Sequence, residues 1–176
     1  TKMLVLDARD DIDLREQDPH VWVSPPLVRH MVGRIRDKLA ELDPAHAAVF
    51  ARNHDAFVAE LDALDAELHA LLDPLPNRKF MVFHPAWGYF ADEFHLVMVP
   101  IEIAGSDPSP GELSEIIDHA READIRFVFV SPQFSTSSAE TIADEIGAVI
   151  AVMDPLAEDW FGNMRSVADG LAEAHQ

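Results

Sequence analysis

The stretch "FVFVSPQFSTSSAETIADEIGAVIAVMD", residues 127–154, decides the fold. It runs from a short apolar segment through a Ser-Pro corner and a hydroxyl-rich link into an amphipathic segment, then into a second short apolar run. Short apolar runs rich in β-branched and aromatic residues read as buried strands, and "SAETIADEIG" between them reads as a helix. The alternation extends in both directions. "FMVF" (80–83) and "LVMVPI" (96–101) are further apolar runs, "AWGYFADEF" and "SPGELSEIIDHAREA" are amphipathic connectors, and "DWFGNMRSVADGLAEA" ends the series. Strand and helix in strict alternation predict an α/β unit, a parallel sheet with helices on both faces.

Upstream of residue 78 the pattern is different. "MLVL" (3–6) reads as a short buried strand, an acidic connector follows, and "HVWVS" (20–24) alternates like a second strand. Ser24 then caps a helix with Pro25 and Pro26 in its first turn, and Val28, Met31, Val32, Ile35, Leu39 and Leu42 fall on one face. Asp43-Pro44 opens a longer helix to about Leu72, with Phe50, Phe57, Leu61, Leu64, Leu68 and Leu71 in a three-four rhythm. Thirty helical residues span about 45 Å, enough to bridge two bodies. "DPLPN" (73–77) closes it. No internal repeat or low-complexity tract is present.

Composition narrows the function. The chain is 48% hydrophobic, enough for a real core, and carries 32 acidic against 13 basic residues, a formal charge of −19. Such a surface repels phosphate backbones, so nucleic acid is not expected as a partner, and it weakly favours cations. The absence of cysteine excludes thiolate metal sites and disulfides. No apolar run is long enough to cross a membrane, and the first residues, which begin at Thr1 and not at a methionine, lack the pattern of a signal peptide. These features suit a trimmed or processed piece of a longer protein.

In an open α/β sheet, ligands gather beyond the carboxyl ends of the strands. The residues at those ends are His84, Glu102, Ser131 and Asp154. His84 and Asp154 supply an imidazole and a carboxylate, which borderline divalent metals accept, and His20 in "QDPHVWVSPP" would add a third donor. Each also has an ordinary use: a histidine at a strand end often only bonds a turn, and Asp-Pro is a common cap. Trp22, Trp87 and Trp160 stand within six residues of these candidates. The remaining histidines lie mostly on helices, where His46 and His54 read as surface residues, as does His95 before its strand. No two form a zinc-protease pair, and there is no nucleophile elbow, Walker loop or dinucleotide fingerprint. Ser135, Thr136, Ser137 and Ser138 precede a helix, where capping is the usual use.

Taken in order, "DPHVWVSPP", "FHPAWGYFADEF", "SPGELSEIIDHA", "FVFVSPQFSTSSAETIADEIGA" and "VMDPLAEDW" resemble the cluster A-I metal-binding solute-binding proteins, the zinc and manganese receptors of ABC transporters. The resemblance implies two α/β lobes joined by a long helix with the metal between them. It makes residues 1–42 the tail of the N-terminal lobe, 43–77 the linker helix and its exit, and 78–176 the C-terminal α/β lobe. It assigns His20, His84 and Asp154 as metal ligands. A histidine at position 84, where manganese-type members usually have Glu, favours Zn2+ over Mn2+. The implied partners are a divalent metal ion and an ABC transporter permease, at a periplasmic or extracytoplasmic location beside the membrane, and no enzymatic activity is implied.

Several departures accompany the resemblance. The family's upstream histidine ligand has no counterpart, so weaker zinc binding is expected, as is self-association through faces that lack their cover. "DARDDIDLREQ" replaces the family's histidine-rich loop, Pro85 stands where Asp is common, and Ser131 stands where an acidic residue often precedes Pro-Gln-Phe. Two other readings of the same residues are a metal-dependent hydrolase, using two His and one Asp to activate water, and a metal-free adhesin on the same fold.

Overall fold

A computed structural model describes residues 3–16 and 18–173. The elements are α1 (Pro25–Leu42), α2 (Ala47–Leu72), β1 (Lys79–Val82), α3 (Gly88–Glu93), β2 (Val97–Pro100), α4 (Pro110–Glu122), β3 (Phe127–Val130), α5 (Ser137–Ile146), β4 (Val149–Val152) and α6 (Trp160–Glu173). The four strands form one parallel sheet in the order β2-β1-β3-β4. All four apolar runs read downstream of residue 78 are strands, and each amphipathic connector there contains a helix.

Alternation along the strands divides the core in two. Phe80, Val82 and Phe129 point to one face and pack with Phe90 of α3, Phe94 just after it, Leu64, Leu68 and Leu72 of α2, and Val167 and Leu171 of α6. Met81, Phe83, Val128 and Val130 point to the other, against Ala120 of α4 and Ala139, Ile142 and Ala143 of α5. Full burial of one such leucine contributes about 2 kcal/mol. Val21 and Val23, from the beginning of the chain, belong to the first of these cores, so the long helix, the early turn and the sheet share one interior.

Helix starts follow local chemistry. Ser24 accepts the Leu27 N–H at the head of α1, with prolines in the first turn. Ser109 and Glu112 form a reciprocal capping box on α4. Gly147 closes α5 in the left-handed conformation that glycine adopts without steric cost.

Five expectations need correction. "MLVL" is not a strand: Met3, Leu4 and Val5 are 82%, 61% and 79% exposed, and among the described residues no strand pairs with them. An apolar run becomes a strand only when a neighbour takes its backbone hydrogen bonds. "HVWVS" curls into a 3-10 turn, Val21–Val23, because Asp18 accepts the His20 N–H and so starts a turn. The second helix opens with a separate 3-10 turn, Pro44–His46, so α2 proper has 26 residues and spans about 39 Å. Its last core position is Leu72, while Leu71 faces outward. His54 is half-buried rather than open at the surface, its side chain 14% exposed beside Arg36. His175 lies outside the described residues.

The apolar face of α1 is only partly covered. Val28 is buried, but Ile35, Leu39 and Leu42 remain exposed, and a groove of about 260 Å³ runs between Val32, Ile35, Leu39, Phe50 and Phe57.

Candidate metal centre

The strand order places a switch point at β1. The chain leaves β1 for β2 on one side, crosses back through α4, and resumes as β3 on the other, so a crevice opens beyond the carboxyl ends of β1 and β3. His84 is the second residue past β1. Sheet-like bonds continue beyond the strands: Phe83 N–H to Phe129 C=O, Ile101 N–H to Val82 C=O, and Glu102 N–H to Phe83 C=O at 3.1 Å. This zippering sets Glu102 beside His84. The Glu102 carboxylate lies 2.9 Å from His84 Nδ1, and its side chain is only 9% exposed. Phe134, from the loop after β3, stacks on the His84 ring at 4.5 Å.

His20 arrives from the opposite end of the chain. Asp18 accepts the His20 backbone N–H at 3.0 Å and lies 2.7 Å from its Nδ1. Tyr89 of α3 fixes the corner, donating to the Asp18 carbonyl and accepting the Arg15 N–H. Gly88 makes the approach possible. A β-carbon there would stand 2.5 Å from Asp18 Oδ2 and 2.8 Å from Arg15 Nε. The His20 and His84 rings meet edge-on with centroids 5.3 Å apart.

Each imidazole therefore carries a carboxylate on Nδ1. A carboxylate can only accept, so Nδ1 holds the hydrogen and Nε2 keeps its lone pair for a cation. The two rings line a cavity of about 480 Å³ with Asp18, Pro85, Glu102 and Met98. The carboxylates also restrain ring rotation, so an ion held between the two rings would cost less to organise.

Asp154 is not among the residues lining this cavity. Its Oδ1 accepts from Gln133 Nε2 at 2.7 Å and from the Leu156 N–H at 2.9 Å, the ordinary duties of an Asp-Pro turn. His20, His84 and Asp154 do not bring ligand atoms within 4.8 Å of one another. The two regions are nevertheless joined. Trp22 Nε1 donates to the Pro155 carbonyl at 2.8 Å, Trp160 Nε1 donates to the Trp22 carbonyl at 2.9 Å, and the Trp22 ring rests on His20. Ser131 is buried and donates to the Met153 carbonyl, a structural use. Thr136 occupies the cap position of α5 without bonding the helix backbone through its side chain.

Sequence reasoning missed the roles of Asp18, Glu102, Gly88 and Tyr89. An Asp two residues before a His is the spacing of an Asx turn, so Asp18 could have been paired with His20 from the sequence. Glu102 stood among the strand-end residues, but its pairing with His84 depends on β1 and β2 being neighbours.

The fold and the paired imidazoles can be set beside known proteins. Residues 2–174 match the ZnuA family, described as zinc-uptake complex component A, periplasmic, and the chain belongs to that family. The high-affinity zinc uptake system protein ZnuA of Brucella abortus (strain 2308) is 33% identical over 143 residues, 80% of this chain and 43% of that protein. The chain thus spans less than half the length of this relative. A crystal structure of ZnuA superposes with a TM-score of 0.94 at 46% identity, covering 97% of this chain and 69% of that one. A zinc-bound ZnuA lacking its residues 138–173 gives 0.85 at 49% identity, covering 90% and 61%.

Proposed function

We propose that this chain is the metal-capturing part of an extracytoplasmic receptor that binds Zn2+ and hands it to an ABC transporter permease. His20 and His84 hold the ion through Nε2, and Asp154 joins from the loop after β4 to give two nitrogens and one oxygen. The observation that carries the proposal is the facing pair of imidazoles, each with a carboxylate on Nδ1. Imidazole-rich donor sets suit zinc, whereas manganese prefers more oxygen. Residues 1–42 are the tail of the N-terminal lobe, 43–77 the linker and its exit, and 78–176 the C-terminal lobe.

Capture and release need no chemistry on the cargo. The rings supply donors, and the carboxylates behind them set basicity and orientation. The Trp22–Pro155 and Trp160–Trp22 bonds keep the His20 corner and the Asp154 loop within one framework. Calorimetric titration of Zn2+ into the chain and into His20→Ala and His84→Ala tests the proposal. Each substitution should weaken binding, and unchanged affinity in both would refute it.

A further inference from the structure

A second group of metal-type donors lies away from this cavity, where α2 meets the end of α3. Asp65 and His69 are one helical turn apart on α2, and Glu93 closes α3. Each offers a ligand atom within 4.8 Å of the others, and this is the one such trio among the described residues. His69 Nδ1 lies 3.1 Å from Asp73 Oδ1, while its Nε2 lies 3.8 Å from Glu93 Oε1. The imidazole thus repeats the arrangement seen at His20 and His84, with a carboxylate on Nδ1 and Nε2 turned towards further donors. Phe94 holds the ring edge-on at 4.9 Å.

An independent observation concerns Asp65. Its Oδ1 is wholly buried and has no hydrogen-bond partner, a costly state for a carboxylate oxygen that a cation would relieve. Burial raises the Asp65 carboxyl above its usual range, and burial together with the nearby Asp65 raises Glu93. Two carboxylates flank one imidazole, a compact set of metal-type donors. The site is still reachable, since the His69 and Glu93 side chains are partly exposed.

We infer that Asp65, His69 Nε2 and Glu93 form a second site for a divalent cation of the zinc class, tying the long helix to α3. The donor set of one nitrogen and two carboxylates, completed by water, suits Zn2+ in four-coordination. Occupancy would brace α3, which begins four residues after His84. This site stands independently of the one at His20 and His84.

The test uses Zn2+ alone, titrated by calorimetry into the His20→Ala/His84→Ala double variant. One residual zinc equivalent is expected, together with zinc-dependent thermal stabilisation. Adding His69→Gln or Glu93→Gln should weaken that residual event by about tenfold or more, while either change in the otherwise wild-type chain should leave the tighter event in place. The inference is overturned if the double variant binds no zinc, or if its residual binding persists in both additional variants. It is equally overturned if His46→Gln, on the exposed turn before α2, removes the residual binding instead.

Discussion

Replacing Glu102 by Gln removes a charge while keeping the shape of the side chain, and so isolates what the carboxylate does for His84. A hydrogen bond to a charged group is worth about 1.5–3 kcal/mol and a neutral one about 0.5–1.5 kcal/mol. With His84 Nδ1 2.9 Å from Glu102 Oε2, the loss is therefore about 1–1.5 kcal/mol, or roughly five- to tenfold in zinc affinity at about 1.4 kcal/mol per decade. Glu102→Ala goes further, because Nδ1–H then loses its protein acceptor altogether. A loss of about 10- to 100-fold is expected, the usual range for partners of metal-bound histidines. Calorimetric titration of Zn2+ at pH 7, with circular dichroism to check folding, gives the order wild type, Gln, Ala, with His84→Ala weakest. If both Glu102 variants stay within about twofold of wild type while His84→Ala is damaged, the carboxylate does not support the imidazole. If Gln is as damaging as His84→Ala, Glu102 holds the ion itself and the positioning role is refuted.

Gly88→Ala should destabilise the fold by about 1–3 kcal/mol and weaken zinc binding, since its β-carbon collides with Asp18 and Arg15; a rise in Tm, as helix propensity alone would give, contradicts this. Leu68→Ala, at a fully buried position facing the sheet, should cost about 2–5 kcal/mol, read as a lowered denaturation midpoint in urea. Trp160→Phe removes the bond to the Trp22 carbonyl and should cost about 1 kcal/mol, with zinc affinity falling as the His20 corner loosens. Glu112 is held below its usual pKa by its side-chain and backbone bonds to Ser109, so its contribution is present above the unfolded pKa and lost as pH falls through the folded one. Denaturation midpoints of Glu112→Gln and wild type should therefore differ at pH 7 and converge in acid.

The sheet was legible because each strand combines dense apolar residues with a sharp stop, as "FVFV" does at Ser131-Pro132, and because amphipathic connectors allow only parallel pairing. The early part was less legible. "MLVL" has the composition of a strand, but composition does not supply the neighbour that pairs with it. "HVWVS" has the alternation of a strand, yet Asp18 redirects the backbone before alternation can act. At the site, His84 was placed by the strand-end rule, and the approach of His20 to it came only from family resemblance. The partners behind the imidazoles depend on three-dimensional neighbours: Glu102 on the β1–β2 register, and Asp18 on the absence of a β-carbon at Gly88. Asp154 shows the reverse limit, because its motif is plain in the sequence while its side chain is engaged with Gln133 and Leu156.

The paired indole bonds carry a consequence for the order in which the molecule becomes itself. Trp22 and Trp160 join segments 138 residues apart, and Trp22 and Pro155 join segments 133 apart. Contacts of such separation close late, after local helices and neighbouring strands have formed. The His20 corner therefore depends on contacts with segments far along the chain, at Pro155 and Trp160 as well as at Tyr89. Zinc that met the unfolded chain would encounter scattered single histidines, because His20 and His84 lie 64 positions apart in the sequence and come face to face only in the folded structure.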